Sequence, residues 1–215
     1  MTIQTMISTM SQGMGKNISI FFLTLLFSIP LGILVSIARM SKSRVLRTIM
    51  RVYISIMRGT PLMLQLLAVY FGPFYLFGMS IRNYRFTAVI LGFVINYAAY
   101  FAEIFRGGIE SMSPGQYEAA EVLGYSRTQC FFRIILPQVF KRILPSITNE
   151  VITLVKDTSL AFTLAYQEVF SLSKQLSSSQ TSFMPFLIAG VFFYIFNAVV
   201  AFVMERLEKK LNYYH

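Results

Sequence analysis

The sequence predicts an all-α integral membrane protein with about five membrane-spanning helices. Three observations carry this. Hydrophobic residues make up 55% of the chain and charged residues only 13%, against about 25% charged in ordinary soluble domains. Mean hydropathy is +0.61. Apolar runs long enough to cross a bilayer recur along the chain, and basic residues gather at their ends. With 215 residues and about 20 per spanning helix, the chain reads as a single membrane domain, 1–215, with little left for a soluble one.

The first span is predicted over 17–38, because no charge falls between Lys16 and Arg39; Pro30 and Gly32 mark an expected kink. Ser36 and Ala38 mimic a signal-peptidase site, but cleavage there would leave Arg39, Lys42, Arg44, Arg47 and Arg51 outside, so the segment reads as uncleaved. Uncharged stretches over 59–81 and 86–102 predict a second span, 59–81, and a third, 86–105. A fourth, 143–166, is hydrophobic but interrupted by Glu150, Lys156 and Asp157, and the last apolar run gives a fifth over 183–204. The Ser/Gln-rich stretch 167–182 reads as an exposed connection or a short surface helix.

Charge sets the expected orientation. With the amino terminus outside, the segments 39–58, 106–142 and 205–215 share one side. That side holds Arg39, Lys42, Arg44, Arg47, Arg51, Arg58, Arg106, Arg127, Arg133, Lys141, Arg142, Arg206, Lys209 and Lys210. The other side holds only Lys16, Arg82, Arg85 and Lys174, with Lys156 inside the membrane. By the positive-inside rule the first side, and the carboxy terminus, is cytoplasmic.

Several function classes fall away. The net charge of +10 is spread over span ends and forms no continuous basic face with interleaved aromatics, so no nucleic acid is expected. The lone Cys130 has no metal-ligand spacing and reads as a small buried hydrophobe. There is no glycine-rich phosphate loop, and the one histidine, His215, is terminal and expected to be disordered. No catalytic constellation and no metal or cofactor site is expected.

A polar, helix-compatible island interrupts the apolar pattern at 113–137. Ser113 and Pro114 suit a helix start, and Glu118 and Glu121 lie near its positive end. Gly124 is placed to end a helix over 114–123, and a second, over 126–135, is expected to stop at Pro137. Phe131, Phe132, Ile134 and Ile135 also permit an amphipathic hairpin lying on lipid. The order Glu118-Ala119-Ala120, three residues, Gly124, nine residues, Ile134, one residue, Leu136-Pro137 resembles the cytoplasmic coupling loop of ATP-binding-cassette importer permeases. Arg58-Gly59-Thr60-Pro61, Ala102 to Gly108 and Lys156-Asp157-Thr158-Ser159-Leu160 extend the likeness to the polar amino acid branch of that family, the histidine, glutamine, arginine and cystine systems, over residues 15–210. Unlike some relatives, the chain is expected to carry no fused solute-binding domain.

The resemblance implies a multi-pass permease subunit of the bacterial cytoplasmic membrane. It implies a homo- or heterodimer with a second permease chain, two ATPase subunits that use ATP and Mg, an extracytoplasmic solute-binding protein and an amino acid substrate. It also implies that the region of Ala119, Ala120 and Gly124 inserts into a groove on the ATPase, with Glu118, Ile134, Leu136 and Pro137 completing the coupling set. A membrane-embedded enzyme using Glu103 and Lys156 as acid and base, or a stand-alone channel or secondary transporter, is the alternative.

Candidate path residues follow from polarity inside apolar runs. Lys156 and Asp157 each cost roughly 2.5–3.5 kcal/mol if ionised against lipid, and adjacent residues cannot share one helix face, so a broken helix or cross-chain pairing is expected. Thr158 and Ser159 hydroxyls suit backbone groups at such a break. Asn96, Tyr100 and Glu103, at i, i+4 and i+7, form one polar stripe. Gln65 adds a hydrogen-bonding group, and Arg58 reads as snorkelling to the interface. For an amino acid, Asp157 or Glu103 would meet the ammonium and Lys156, Asn96 or backbone amides the carboxylate. A structural reading stands beside this: Lys156 neutralising Glu103 or Asp157, and Asn96 bonding between helices. Since the resemblance implies that Lys156-Asp157-Thr158 is shared regardless of cargo, it points to a common recogniser or gate.

Overall fold

Two breaks and one close helix pair organise the chain. The computed structural model describes residues 3–211; His215 lies outside them. The regular elements among the described residues are all helical: α1 (Ile3–Arg39), α2 (Arg44–Gly59), α3 (Leu62–Phe77), α4 (Arg85–Glu110), α5 (Pro114–Val122), α6 (Arg127–Cys130), a π turn (Phe131–Ile135), α7 (Leu136–Asp157), a 3-10 helix (Thr158–Leu164), α8 (Val169–Gln180) and α9 (Met184–Leu211).

α1 and α4 make the most extensive helix pair. The face of α1 that is buried there steps by four through Thr24, Ser28, Gly32 and Ser36; small side chains let two backbones approach closely in an apolar medium. Gly32 marks the closest point. A Cβ there would lie 2.8 Å from the Phe101 Cβ and 3.1 Å from the Ala98 carbonyl oxygen. Pro30 and Gly32 were expected as a kink. They lie within a continuous helix, where Gly32 is a packing contact. Aromatic residues of α4, Phe93, Tyr97 and Phe101, are fully or almost fully buried in the main core, with Leu66 of α3 and Ile135, Val139 and Leu154 of the α7 rod.

Three helices, α1, α4 and α9, are long and apolar enough to cross a membrane. α2 and α3 pass together, as a pair bent by 113° at their junction. The helices do not end where the apolar runs do. The first helix starts at Ile3 instead of 17, because Met6, Met10 and Met14 continue its buried face. Residues 39–58 are mostly the helix α2, and the second apolar stretch is helical only over Leu62–Phe77, capped by Gly78 with φ of 65°. α4 continues to Glu110 and α9 to Leu211. α7 begins at Leu136, and the helix changes to 3-10 geometry after Asp157.

Pro137 does not stop the second hairpin helix. It sits in the first turn of α7, where its missing N–H is tolerated, and the preceding π turn widens the backbone. α6, the π turn and α7 therefore run on as one rod from Arg127 to Asp157.

The stretch 167–182 is α8, and its amino-terminal part is buried: Val169, Ser171 and Ser173. A second core forms where α8 meets the start of α1 and α9, through Met10, Met14, Val169 and Ala189. Glu168, fully buried, caps α8 by accepting from the amides of Phe170 at 2.8 Å and Ser171 at 2.6 Å. The Asn17 amide group donates to Glu168 at 3.2 Å and to the Thr158 hydroxyl at 3.0 Å, and its oxygen accepts from the Val169 amide at 3.1 Å. This network fastens α1 to the 3-10 helix and to α8. Burial raises the Glu168 pKa above its ordinary 4.5, opposed by the Phe170 and Ser171 amides, by Asn17 and by Lys16.

Gly32→Leu should overpack the α1–α4 contact and cost about 1–3 kcal/mol, read as a lower thermal midpoint of the purified protein; an unchanged midpoint would show that the contact gives way freely. For Glu168, a raised folded pKa means stability that is fully present below the ordinary value of 4.5 and lost as pH rises through the raised one. Glu168→Gln should remove that contribution, so that the variant's midpoint falls less than the wild type's between acid and neutral pH; parallel profiles would place the dependence elsewhere.

Candidate functional site

Both breaks border one polar cavity. It has a volume of about 190 Å³ and is lined by Thr60 and Leu62 at the α2–α3 junction, Asn96, Tyr97 and Tyr100 of α4, and Glu150, Thr153 and Asp157 of α7. Two larger cavities among the long helices, of about 590 and 340 Å³, are almost wholly apolar, and a third of about 660 Å³ lies in the hairpin, where Glu118, Glu121 and Arg127 line it. Two carboxylates, a tyrosine pair and an amide thus converge where the rest of the bundle is hydrocarbon-like.

The first break is held by side chains. Gln65 donates from Nε2 to the carbonyls of Met57 at 2.9 Å and Thr60 at 3.1 Å, and to the Thr60 hydroxyl at 2.8 Å. Asn96 donates to Met57 O at 3.1 Å and to Gln65 Oε1 at 2.9 Å. These two amides replace the helix bonds lost at Thr60-Pro61. The interhelical role considered for Asn96 is therefore present, together with its place in the cavity wall.

The second break is held in the same way. The Thr158 hydroxyl donates to Val155 O at 2.7 Å and the Ser159 hydroxyl to Lys156 O at 2.8 Å, as the hydroxyl pair suggested. Asp157, at the end of α7, accepts from the Tyr97 hydroxyl at 2.7 Å.

Of the sequence candidates, Asn96, Tyr100 and Asp157 line the cavity and Gln65 supports it from behind. Glu103 lies outside the lining and pairs with Arg106 three residues on, which also pairs with Glu110; a helical neighbour captured it. Lys156 is also outside the lining and exposed, and among the described residues it forms no ion pair with Glu103 or Asp157. The expected staple is absent because Lys156 and Asp157 leave the helix on different faces. Arg58, read as snorkelling to the interface, stacks its guanidinium 5.3 Å from the Tyr100 ring centroid, at the cavity's edge. Tyr97, Glu150 and Thr153 were missed. The spacing 150, 153, 157 puts three polar side chains on one helical face, a signal present in the sequence but read only as interruptions of a span.

The island at 113–137 forms a helical hairpin. Ser113 occupies the cap position of α5 without a side-chain bond, and Gly124 turns the chain with φ of 80°. Ser126 and Gln129 form a reciprocal capping box at the start of α6. Glu118, Ala119, Gly124 and Pro137 are exposed, Ile134 and Leu136 are half-buried, and Ala120 is buried with Cys130 inside the packed core. The small size of Ala120 serves the hairpin's own packing. Val122 and Leu123 make the tip apolar, at 88% and 73% exposure. The hairpin is tied to the rod by reciprocal bonds between Gln116 and Gln138 at 2.9 and 3.0 Å, and by Arg142 donating to Ser111 O at 2.6 Å.

A family described as the inner membrane component of binding-protein-dependent transport systems matches residues 28–213. The putative glutamine transport system permease protein GlnP of Rickettsia bellii is 35% identical over 190 residues, covering 88% of this chain and 86% of its own. The arginine transport system permease protein ArtQ of Bacillus subtilis is 34% identical over 202 residues, 94% of this chain and 91% of its own. The L-cystine transport system permease protein TcyB of Bacillus subtilis is 33% identical over 208 residues, 95% and 87% of the two chains. The crystal structure of an amino acid ABC transporter with histidines superposes with a TM-score of 0.87 at 29% identity, over 98% of this chain and 100% of that one. An inward-facing structure of the MetNI methionine ABC transporter shares the fold, with a TM-score of 0.74 at 17% identity over 99% of this chain and 100% of that one. The chain, with its polar cavity in an apolar helical bundle and its exposed hairpin, belongs to the family of binding-protein-dependent transport system inner membrane components.

Proposed function

We propose that the chain forms one half of the translocation path of an ATP-driven amino acid importer, with the cavity between α4 and α7 as its cargo site. The cavity carries the reading: in a bundle otherwise lined by hydrocarbon, it offers what a zwitterion needs. Asp157 and Glu150 suit an ammonium group, and Arg58 with the Tyr100 hydroxyl suits a carboxylate. Tyr97 holds Asp157 in place. The names of the relatives, glutamine, arginine and L-cystine permeases, support the class of cargo. Lys156, Thr158 and Ser159 then serve the break behind the site.

In this reading five segments cross the cytoplasmic membrane: α1, the bent α2–α3 pair, α4, α7 with its 3-10 extension, and α9, with the amino terminus outside. Intramembrane charge on α7 is accommodated because Glu150 and Asp157 face the cavity. The hairpin is the cytoplasmic coupling element. Its exposed apolar tip at Val122 and Leu123, with Glu118, Ala119 and Gly124 beside it, docks on an ATPase subunit, while Ile134, Leu136 and Pro137 join it to α7. A second permease chain, homologous or identical, closes the path, two ATPase subunits hydrolyse ATP with Mg, and an extracytoplasmic solute-binding protein delivers cargo.

Reconstitution of the complex in liposomes should give ATP-dependent uptake from a panel of labelled amino acids; ATP hydrolysis with uptake of none would remove the cargo assignment, and failure of any ATPase to associate would remove the coupling role. Gly124→Asp should leave the chain inserted but lower binding-protein-stimulated ATP hydrolysis about tenfold, within the usual range of coupling between sites. Normal stimulation in that variant would count against the docking assignment. Asp157→Asn should lower uptake much more than assembly, since it removes the ammonium partner; loss of the dimer with normal uptake per complex would make the residue structural.

A further inference from the structure

We propose that the arginine face of α2 is an anion track that leads from the cavity to the cytoplasmic side and guides the carboxylate end of departing cargo; this rests on the amino acid importer reading. At about 100° per residue, Arg44, Arg47, Arg51 and Arg58 fall within an arc of about 60°, so one side of the helix is a row of guanidinium groups. With a rise of about 1.5 Å per residue, the row is about 21 Å long. Its inner end is fixed at the site: Arg58 lies 5.3 Å from the ring of Tyr100, which lines the cavity.

α2 has two other faces, and they settle which way the arginines turn. Ile54, buried, with Met50, Tyr53 and Met57 packs on Val35 of α1 and on Ala99 and Ala102 of α4, and the Tyr53 hydroxyl donates to Ile95 O at 2.6 Å. Val45, Ile49, Val52 and Ile56 form an exposed apolar face, each at least half exposed. The arginine arc is centred about 140° from that apolar face by the same helical rotation. When the apolar face meets lipid, the arginines are turned away from it and toward water.

Arg58 has Glu103 and Glu150 within electrostatic reach, but the outer row, Arg44, Arg47 and Arg51, is short of counter-charge. Among the described residues, none of the four arginines forms an ion pair, and the first turn of α2 has no acidic residue. Arg44 and Arg47 stand at the positive end of the helix dipole, where cations are disfavoured. A bound anion relieves both. Setting membrane orientation requires positive charges on the cytoplasmic side, but it does not require them on one narrow face.

Cysteine chemistry tests this, because the only natural cysteine, Cys130, is buried. The variants Arg47→Cys, Arg51→Cys, Ile49→Cys and Val52→Cys would be made singly in the nucleotide-free complex, in phosphatidylcholine nanodiscs open to reagent on both sides. The probes are an anionic sulfonatoethyl and a cationic trimethylammonioethyl methanethiosulfonate. Positions 47 and 51 should react and 49 and 52 should not. At 47 and 51 the anionic probe should be about tenfold faster, the lower end of enhancement by a focused field. Inert thiols at 47 and 51, or equal rates for the two probes, would overturn the track. So would loss of the preference when phosphatidylglycerol is added, since lipid headgroups would then occupy the row. In liposomes, Arg47→Gln combined with Arg51→Gln should lower uptake while Arg47→Lys with Arg51→Lys retains it; unchanged uptake in the glutamine pair would also overturn it. A wild-type complex that moves no amino acid yet keeps the anionic preference would retain the track and remove its cargo.

Discussion

A backbone amide or carbonyl without a partner costs several kcal/mol in hydrocarbon, and this chain interrupts two helices within its apolar bundle. The polar side chains at the two breaks answer that constraint. Gln65 and Asn96 take up the groups freed at Thr60-Pro61, Thr158 and Ser159 bond the Val155 and Lys156 carbonyls just before Asp157, and Asn17 holds the Thr158 hydroxyl. Because both breaks lie beside α4 and line the same space, the polar side chains around them enclose one cavity. The residues that make irregular backbone tolerable are the same ones that make a polar site inside an oily protein.

The rod from Arg127 to Asp157 gives that site a mechanical connection. One end belongs to the hairpin, whose first helix is clamped to it by the Gln116–Gln138 pair, while Arg142 bonds Ser111 at the end of α4. The other end carries Glu150, Thr153 and Asp157. A displacement of the hairpin tip is therefore a displacement of three cavity residues, unless the π turn or Pro145 absorbs it. The Tyr97–Asp157 bond, between α4 and the end of the rod, is where such a movement meets the helix most deeply buried in the core.

Much of this was legible from local signals. Uncharged runs mark the long helices, Pro114 and Gly124 bracket α5, and the Lys156-Asp157 pair announces a break because two adjacent charges cannot share a face. What escaped depended on partners distant in sequence. Tyr97 reads as one more aromatic in an apolar run until Asp157 is placed against it. Glu103, equally polar, was drawn into the site by its spacing from Asn96, yet Arg106 lay within its own helix to claim it. Pro137 shows a local rule overridden: a stop signal in isolation becomes a first-turn residue when a π turn precedes it. α8 looked superficial because neither Glu168 nor Asn17 is conspicuous alone.

Asn17 and Glu168 are separated by 151 residues, and this has a consequence for how the chain is made. The second core joins Met10 and Met14 to Val169 and Ala189, so the methionine face of α1 has nothing to close on until nearly the whole chain has left the ribosome. A segment made well before its partners is among the last to be packed. Contacts of such long sequence separation are slow to form and leave apolar surface uncovered in the interval. During synthesis α1 can be held by α4 along Thr24, Ser28 and Gly32 while Met10 and Met14 wait for α8 and α9.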